Sequence, residues 1–455
     1  MIGFTRLMCN MGTVSQEIVA QPPPAVDGSD RGQPRAAAPH EVRELHFSSD
    51  QRPLVVWNVT LRCNLRCAHC YIDASSAAAA GELTTDEARA MIDDLAAMGA
   101  PVLLFSGGEP LLREDIFELA PYAASKGVRP VLSTNGVLIT DDVAKRIRDA
   151  GFQYAGISID GTERHHDRFR AAPGAWRRSW EGLQRCLQHG VRGGVRFTIT
   201  RDNAAQLPAV LEETVRRGVP RFCMYHLVYA GRGAELAARD VPLAEKRAVV
   251  EWLADRAREL GEGGTELEIL TTDNHADGIY LWRRIAQGGG DGAEVARSKD
   301  RHGGPKGLAI MDLLRRHGGC SAGRKFANVG PTGDVHPCQF WTHVSLGNIR
   351  KRPFSEIWSD ESGLIGQLRG RGDRARGRLT ARTPRDFRRP LRPPKRDFGT
   401  SWPAKAEVAP TLGGKCGRCR FQEVCGGCRV RAEAVTGDAW AEDPACYLTD
   451  EEIAG

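Results

Sequence analysis

Cys63-Asn64-Leu65-Arg66-Cys67-Ala68-His69-Cys70 follows closely on the apolar run Pro53-Leu54-Val55-Val56-Trp57, and the fold is read outward from this pair. The apolar run reads as a buried strand. The cysteines stand in a C-x3-C-x2-C spacing. Three thiolates ligate three irons of a 4Fe–4S cubane, whereas a complete set is four. The fourth iron is then open, and an open coordination position is where a reactant binds. The competing readings are a zinc knuckle or a disulfide pair, and three close cysteines leave an odd one out of either.

Beyond this stretch a short apolar run alternates with an amphipathic one. The apolar runs lie at 54–59, 102–105, 130–133, 154–159, 194–199 and 221–227. Helical patterns fall near 84–98, 113–126, 141–150, 175–189, 204–217 and 243–260. Thr84 with Glu87 makes a capping-box start for the first. Strands alternating with helices indicate βαβ units on a parallel sheet. Six units fit an α/β fold, a partial (β/α)6 TIM-like barrel over 49–285. Its chemistry is expected at the C-terminal strand ends, and Cys63, Cys67 and Cys70 follow the first strand.

The other strand ends carry polar residues beside glycines. Ser106-Gly107-Gly108-Glu109-Pro110 follows the second strand. Paired glycines let backbone approach a ligand, and a carboxylate beside them can accept from an ammonium. Ser133-Thr134-Asn135-Gly136 ends the third strand and Ser158-Ile159-Asp160-Gly161 the fourth. Asn-Gly and Asp-Gly are also ordinary turn formers. The stretch from His165 to Arg170 reads as a polar loop, in which Arg170 can pair a carboxylate. Cys186 and Cys223 read as core thiols. The region from Gly231 to Thr271 reads as the last helical part of the barrel, and a new helix is expected over 279–286.

A Gly-rich stretch, 286–307, reads as a linker to a second domain over 308–450. That domain holds Cys320, Cys338, Cys416, Cys419, Cys425, Cys428 and Cys446. Seven thiols exceed what one metal needs and suit two clusters, one with four ligands and one with three; structural zinc is the competing reading. An insertion at 369–405 is rich in Arg and Pro, which indicates disordered surface or a contact for an acidic partner or RNA.

The bulk properties set outer limits. The chain has 455 residues, enough for two or three domains. Lys and Arg number 63 against 57 Asp and Glu, a net charge of +6 that gives no argument for nucleic acid. No apolar run reaches the length needed to cross a bilayer. Residues 1–48 are rich in Ala, Pro, Gln and Gly, show no signal-peptide pattern and are expected to be disordered. Thirteen cysteines in a large chain of this kind indicate metal in a reducing cytoplasm rather than disulfides.

The Cys63–Cys70 stretch resembles the radical SAM superfamily signature, C-x3-C-x-Φ-C, with His69 at the usually aromatic position. The resemblance implies that S-adenosylmethionine chelates the open iron and is cleaved reductively to a 5′-deoxyadenosyl radical. It implies a flavodoxin- or ferredoxin-type electron donor. It places Glu109 at the methionine ammonium, with Gly107, Gly108, Ser133, Asn135, Ser158, Asp160 and Arg170 as further cofactor contacts. The C-terminal region resembles the SPASM extension, which binds auxiliary 4Fe–4S clusters. That pattern implies one cluster on Cys416, Cys419, Cys425 and Cys446. It implies a second on Cys320, Cys338 and Cys428; a further cysteine expected shortly after Cys320 is absent, which leaves three alternatives, an open iron, His336 or His343 as ligand, or no second cluster, so that one or two auxiliary clusters are expected.

Further segments narrow the resemblance: 166–170, 226–233, 273–278, 335–341, 345–350, 353–358 and 443–448 look like radical SAM enzymes of haem biosynthesis. That group implies a tetrapyrrole substrate. One of its activities removes propionate side chains from didecarboxysirohaem. The other decarboxylates iron-coproporphyrin, and the cysteine at 338 tilts the reading toward it. Arg170, Arg196 and Arg232, near strand ends, are candidates for the substrate carboxylates. The alternatives are a radical SAM maturase of a ribosomal peptide and a non-catalytic iron–sulfur carrier.

Overall fold

The computed structural model describes residues 2–3, 52–287, 310–311, 314–315, 318–370 and 410–454. Eleven strands form one sheet: β1 Ile2–Gly3, β2 Leu54–Asn58, β3 Val102–Ser106, β4 Arg129–Thr134, β5 Tyr154–Ser158, β6 Arg192–Ile199, β7 Arg221–His226, β8 Glu268–Thr272, β9 Phe326–Val329, β10 Asp334–His336 and β11 Gly347–Asn348. Their order is β1-β8-β7-β6-β5-β4-β3-β2-β9-β10-β11. From β2 to β8 every neighbouring pair is parallel.

Composition explains the sheet. Val55, Val56 and Trp57 are fully buried, and all five residues of β3 are buried. Such continuous apolar runs suit a parallel sheet covered on both faces. The first helix, Thr85–Ala97, starts at the expected capping box, with Thr84 and Glu87 bonding reciprocally. It buries Ala88, Met91, Ile92 and Leu95, the i, i+3, i+4, i+7 stripe of an amphipathic helix. All six expected strands form. A seventh parallel strand, β8, lies inside the stretch read as helical from Gly231 to Thr271. That stretch comprises a 3-10 helix, Gly231–Arg239, the helix Leu243–Glu262 and β8. The polar loop after β5 is also corrected: Glu163–Phe169 is helical. The helix expected over 279–286 begins earlier, as Ala276–Gln287.

The cysteine-rich region continues the barrel sheet. β9 adds parallel to the outer edge of β2, from Leu54↔Phe326 to Trp57↔Val329, and β10 and β11 follow antiparallel. Of the leader read as disordered, Ile2–Gly3 instead pair antiparallel with β8. The rest of that leader, the linker beyond Gln287 and the arginine-rich insertion beyond Gly370 lie outside the described residues. Among the described residues no helix is long and apolar enough to cross a membrane.

Candidate active site

The cysteine loop is tied down from three sides. Cys63 N–H donates to Ser75 O at 2.7 Å, and Ala68 N–H donates to Phe169 O at 3.0 Å. Arg232 Nε donates to Cys67 O at 2.9 Å. The glycine pair after β3 is stitched to the same loop, with Gly108 N–H donating to Thr60 O and Glu109 N–H to Arg62 O. A Cβ on Gly108 would lie 2.3 Å from Arg62 O, and one on Gly107, where φ is +127°, would lie 2.6 Å from Thr60 O. Glycine is thus required by close backbone approach to the cysteine loop.

Each sulfur of the trio has a donor aimed at it. Leu65 N–H reaches Cys63 Sγ at 3.4 Å, Ala74 N–H reaches Cys70 Sγ at 3.4 Å, and Arg170 Nη1 reaches Cys67 Sγ at 3.5 Å. Burial pushes the Cys63 thiol up to about 12 and raises Cys67 as well, the latter opposed by the Arg170 charge. Without a cation these thiols stay protonated; a metal makes them thiolates and releases protons. Donors aimed at all three sulfurs fit a thiolate-ligated iron–sulfur cluster, whose potential such hydrogen bonds tune.

Beside the trio opens a cavity of about 1010 Å³, counting space open to solvent. Of the expected cofactor contacts, Gly107, Gly108, Ser133, Asn135, Ser158 and Arg170 line it. His69 also lines it and stacks on Phe169, ring centroids 4.6 Å apart and planes at 11°. Asn135 Nδ2 donates to Asn64 Oδ1 at 2.8 Å, joining the end of β4 to the cysteine loop.

Glu109 and Asp160 are not among the residues that line this cavity. Glu109 is fully buried. Its carboxylate accepts from Leu111 N–H at 3.2 Å, Thr134 Oγ1 at 2.7 Å and Asn135 N–H at 2.9 Å. Asp160 is fully buried and paired through one oxygen with Arg170 Nε and Nη2, while Thr198 N–H donates to its other oxygen at 2.8 Å. Both carboxylates brace strand ends. Arg170, committed to Asp160 and Cys67, is likewise a support. Arg196 and Arg232 also line the cavity; Arg232 Nη1 is paired with Asp73 Oδ1 at 2.6 Å. Among the described residues no carboxylate pairs with Arg196; its guanidinium donates to Ser133 Oγ and sits 5.4 Å from the Tyr225 ring. Arg232 keeps Nη2 buried without a partner.

Cavity residues given no role from sequence are Tyr71, Tyr225, His226, Asp273, Gln339 and Phe340. Their signal was positional: Tyr225 and His226 end β7, Asp273 follows β8, and Gln339 follows Cys338.

The structure sorts the C-terminal cysteines into two sets. Cys416, Cys419, Cys425 and Cys446 line a second cavity of about 370 Å³ with Asp443. Cys320, Cys338 and Cys428 share an apolar cluster with Val228, Trp341 and Phe340. Burial raises the Cys338 thiol well above the usual range, and Cys320 and Cys428 add to that rise. Among the described residues no three Cys, His, Asp or Glu side chains converge closely enough to hold a single metal ion. Thiols that surround a volume suit a polynuclear cluster, in which each iron takes one thiolate. All twelve described cysteines are free thiols. His336 Nδ1 is bonded to Val344 O at 2.8 Å and His343 Nε2 to Glu433 Oε2 at 3.0 Å, contacts that engage one ring nitrogen of each and orient the ring.

Asp443 joins the two sets. It accepts from Arg431 Nε and Nη2, both at 2.9 Å, and from Cys428 N–H at 2.7 Å. Its own N–H donates to Cys416 Sγ at 3.3 Å. Arg431 is fully buried, so Asp443→Ala leaves an unpaired buried charge. We expect a loss of about 3–5 kcal/mol, read as a lower denaturation midpoint. Iron held by the C-terminal cysteines should fall with it, measured per chain.

Comparison with known proteins agrees with this geometry. The radical SAM superfamily profile matches residues 57–213, and that of the iron–sulfur cluster-binding SPASM domain matches residues 320–376. Streptococcus suis SuiB bound to S-adenosylmethionine shares the fold, with a TM-score of 0.61 at 17% identity over 88% of this chain and 78% of that one. Fold and site together define a radical SAM enzyme with an auxiliary cluster domain. An Fe-coproporphyrin III synthase of Methanosarcina barkeri is 40% identical over 100% of this chain and 99% of its own length. A pre-heme d1 synthase of Dinoroseobacter shibae is 39% identical over 88% of this chain and 87% of its own. An AdoMet-dependent heme synthase of Nitratidesulfovibrio vulgaris is 33% identical over 90% and 95%. The chain belongs to the haem-biosynthesis group of the radical SAM superfamily. Its cofactors are those of that group: a 4Fe–4S cluster with S-adenosylmethionine, and auxiliary iron–sulfur clusters.

Proposed function

We propose that this enzyme removes or decarboxylates carboxyl-bearing side chains of an iron tetrapyrrole. The observation that carries the reading is the cavity beside Cys63, Cys67 and Cys70, whose wall holds Arg196 without a carboxylate partner among the described residues and Arg232 with a free Nη2. Burying carboxylates without cations is costly, so a site for them supplies guanidinium groups. The relatives at 40% and 39% identity are named for Fe-coproporphyrin III and pre-haem d1, and the haem synthase stands at 33%. Side-chain removal is therefore ranked ahead of coproporphyrin decarboxylation, which reverses the tilt read from Cys338.

Cys63, Cys67 and Cys70 would hold the cluster that binds S-adenosylmethionine, and together these supply the radical that abstracts hydrogen from an unactivated carbon. The chain's own residues do the rest. Gly107 and Gly108 bring backbone to the cofactor's edge. Ser133, Asn135 and Ser158 offer hydrogen bonds at the strand ends. Arg170 donates to Cys67 and is held by Asp160. Tyr71, packed edge-on against Phe340 at 5.3 Å, forms with Leu227 and Val228 an apolar wall that excludes water. Cys416, Cys419, Cys425 and Cys446, with Cys320, Cys338 and Cys428, would hold the auxiliary clusters, a natural acceptor for the surplus electron of the reaction. A flavodoxin- or ferredoxin-type protein in the cytoplasm is the proposed donor of the first electron.

The test is an anaerobic titration of the reconstituted enzyme with didecarboxysirohaem and iron-coproporphyrin III, followed at the Soret band and then by mass spectrometry. Binding, with mass loss dependent on S-adenosylmethionine, supports the reading. Loss of a whole side chain marks one reaction and loss of carbon dioxide the other. No spectral change with either, and deoxyadenosine formation stimulated by a precursor peptide, would replace the reading with peptide maturation.

A further inference from the structure

Two buried polar atoms face the same cavity without a partner: His226 Nδ1 and Asp273 Oδ2. His226 ends β7 and is 2% exposed. Asp273 directly follows β8, where Tyr225 pairs with Thr272, so His226 and Asp273 each come one residue after that last pair. The imidazole is held from behind. Its Nε2 lies 2.9 Å from Asp277 Oδ2, and Asp277 is fully buried and takes a second hydrogen bond, from Tyr447 OH at 2.9 Å.

A carboxylate only accepts, so the hydrogen bond to Asp277 places a proton on Nε2 and leaves Nδ1 for the cavity. Burial raises the Asp277 carboxyl, yet His226 and the hydrogen bonds from His226, Thr271 and Tyr447 hold it below the usual carboxylate range, so it remains an acceptor. Asp273 behaves oppositely: burial pushes its carboxyl up, opposed by Arg431 and His226. Arg431 is itself paired with Asp443. Leaving two buried polar atoms unpaired costs each its hydrogen bond. One planar group with two oxygens and one shareable proton answers both.

We propose that His226 and Asp273 form a subsite for one carboxyl group of the substrate, at the β7–β8 side of the cavity, with Asp277 as the positioning residue behind the imidazole. One substrate oxygen donates the carboxyl proton to His226 Nδ1, and the other accepts from the protonated Asp273 carboxyl. The subsite rests on the tetrapyrrole reading, because it takes its ligand class from that substrate. It goes further by fixing which end of the cavity one carboxyl side chain enters and which residues recognise it.

The test uses the full chain with its clusters reconstituted. Iron-coproporphyrin III and its tetramethyl ester are titrated into wild type, His226→Ala, Asp273→Ala and Asp273→Asn, following the Soret band. The subsite predicts that each Ala variant binds the free acid about tenfold or more weaker, the scale of one lost hydrogen bond to a charged group. It predicts little change for the ester, which narrows the acid-over-ester preference. Asp273→Asn keeps a donor for the substrate carboxylate and should hold free-acid affinity within about threefold, on the view that one neutral donor replaces another. Free-acid affinity unchanged in both Ala variants overturns the subsite while leaving the tetrapyrrole reading intact. Equal losses for acid and ester also overturn it, since the contact would not be to a carboxyl group. Asp273→Asn falling as far as Asp273→Ala overturns it too, because a cationic group would then be the ligand. Wild type binding neither these porphyrins nor didecarboxysirohaem removes the tetrapyrrole reading and the subsite together. Iron per chain serves as the folding control. Should His226→Ala lose its iron, the two Asp273 variants decide by themselves.

Discussion

Replacing any one of Cys63, Cys67 and Cys70 by Ala abolishes reductive cleavage of S-adenosylmethionine in anaerobically reconstituted enzyme supplied with dithionite. The expected drop takes 5′-deoxyadenosine to background. Each sulfur has its own aimed donor, Leu65 N–H, Ala74 N–H or Arg170 Nη1, so the three thiolates form one ligand set without a spare. The cavity that receives the cofactor opens on the same three residues. A single variant retaining wild-type cleavage would show that the site lies elsewhere. Dithionite as reductant keeps this result independent of the protein donor.

The second large effect concerns metal. Wild type should hold clearly more iron than one cubane supplies. The triple variant Cys63/Cys67/Cys70→Ala should keep the C-terminal share, because Cys416, Cys419, Cys425 and Cys446 surround a cavity of their own, about 370 Å³ in volume. Burial pushes Cys446 up to about 12 and Cys428 up to about 11. These thiols ionise only against a metal, so reconstitution should also release protons. Zinc at the C-terminal cysteines, with iron confined to the first trio, would contradict the auxiliary cluster assignment.

Much of the fold was legible because buried parallel strands and amphipathic helices announce themselves by period. The capping box at Thr84 and Glu87 and the six strand runs belong to that class. β8 was missed because Glu268–Thr272 is a short run that follows a Gly-rich turn and alternates little. The helix Glu163–Phe169 was missed because Glu-Arg-His-His-Asp-Arg-Phe has no apolar stripe; only His166 and Phe169 are buried. The cysteine sets and the glycine pair were legible from spacing alone. Side-chain direction was not. Glu109 and Asp160 stand at strand ends, as expected, and their carboxylates are hydrogen-bonded by Thr134, Asn135 and Arg170. Position along a strand follows from sequence, but which face a residue after the strand takes depends on neighbours far along the chain. His226 and Asp273 illustrate the same limit, since only the register of β7 on β8 brings them together.

The central claim is that this site makes a radical which takes hydrogen from a tetrapyrrole side chain. Its most direct test is the mass of the 5′-deoxyadenosine formed from unlabelled S-adenosylmethionine with an iron tetrapyrrole deuterated on its carboxyl-bearing side chains. The account predicts deuterium in the deoxyadenosine, appearing together with the shortened tetrapyrrole. Deoxyadenosine free of deuterium, with the tetrapyrrole recovered at full mass, would contradict it.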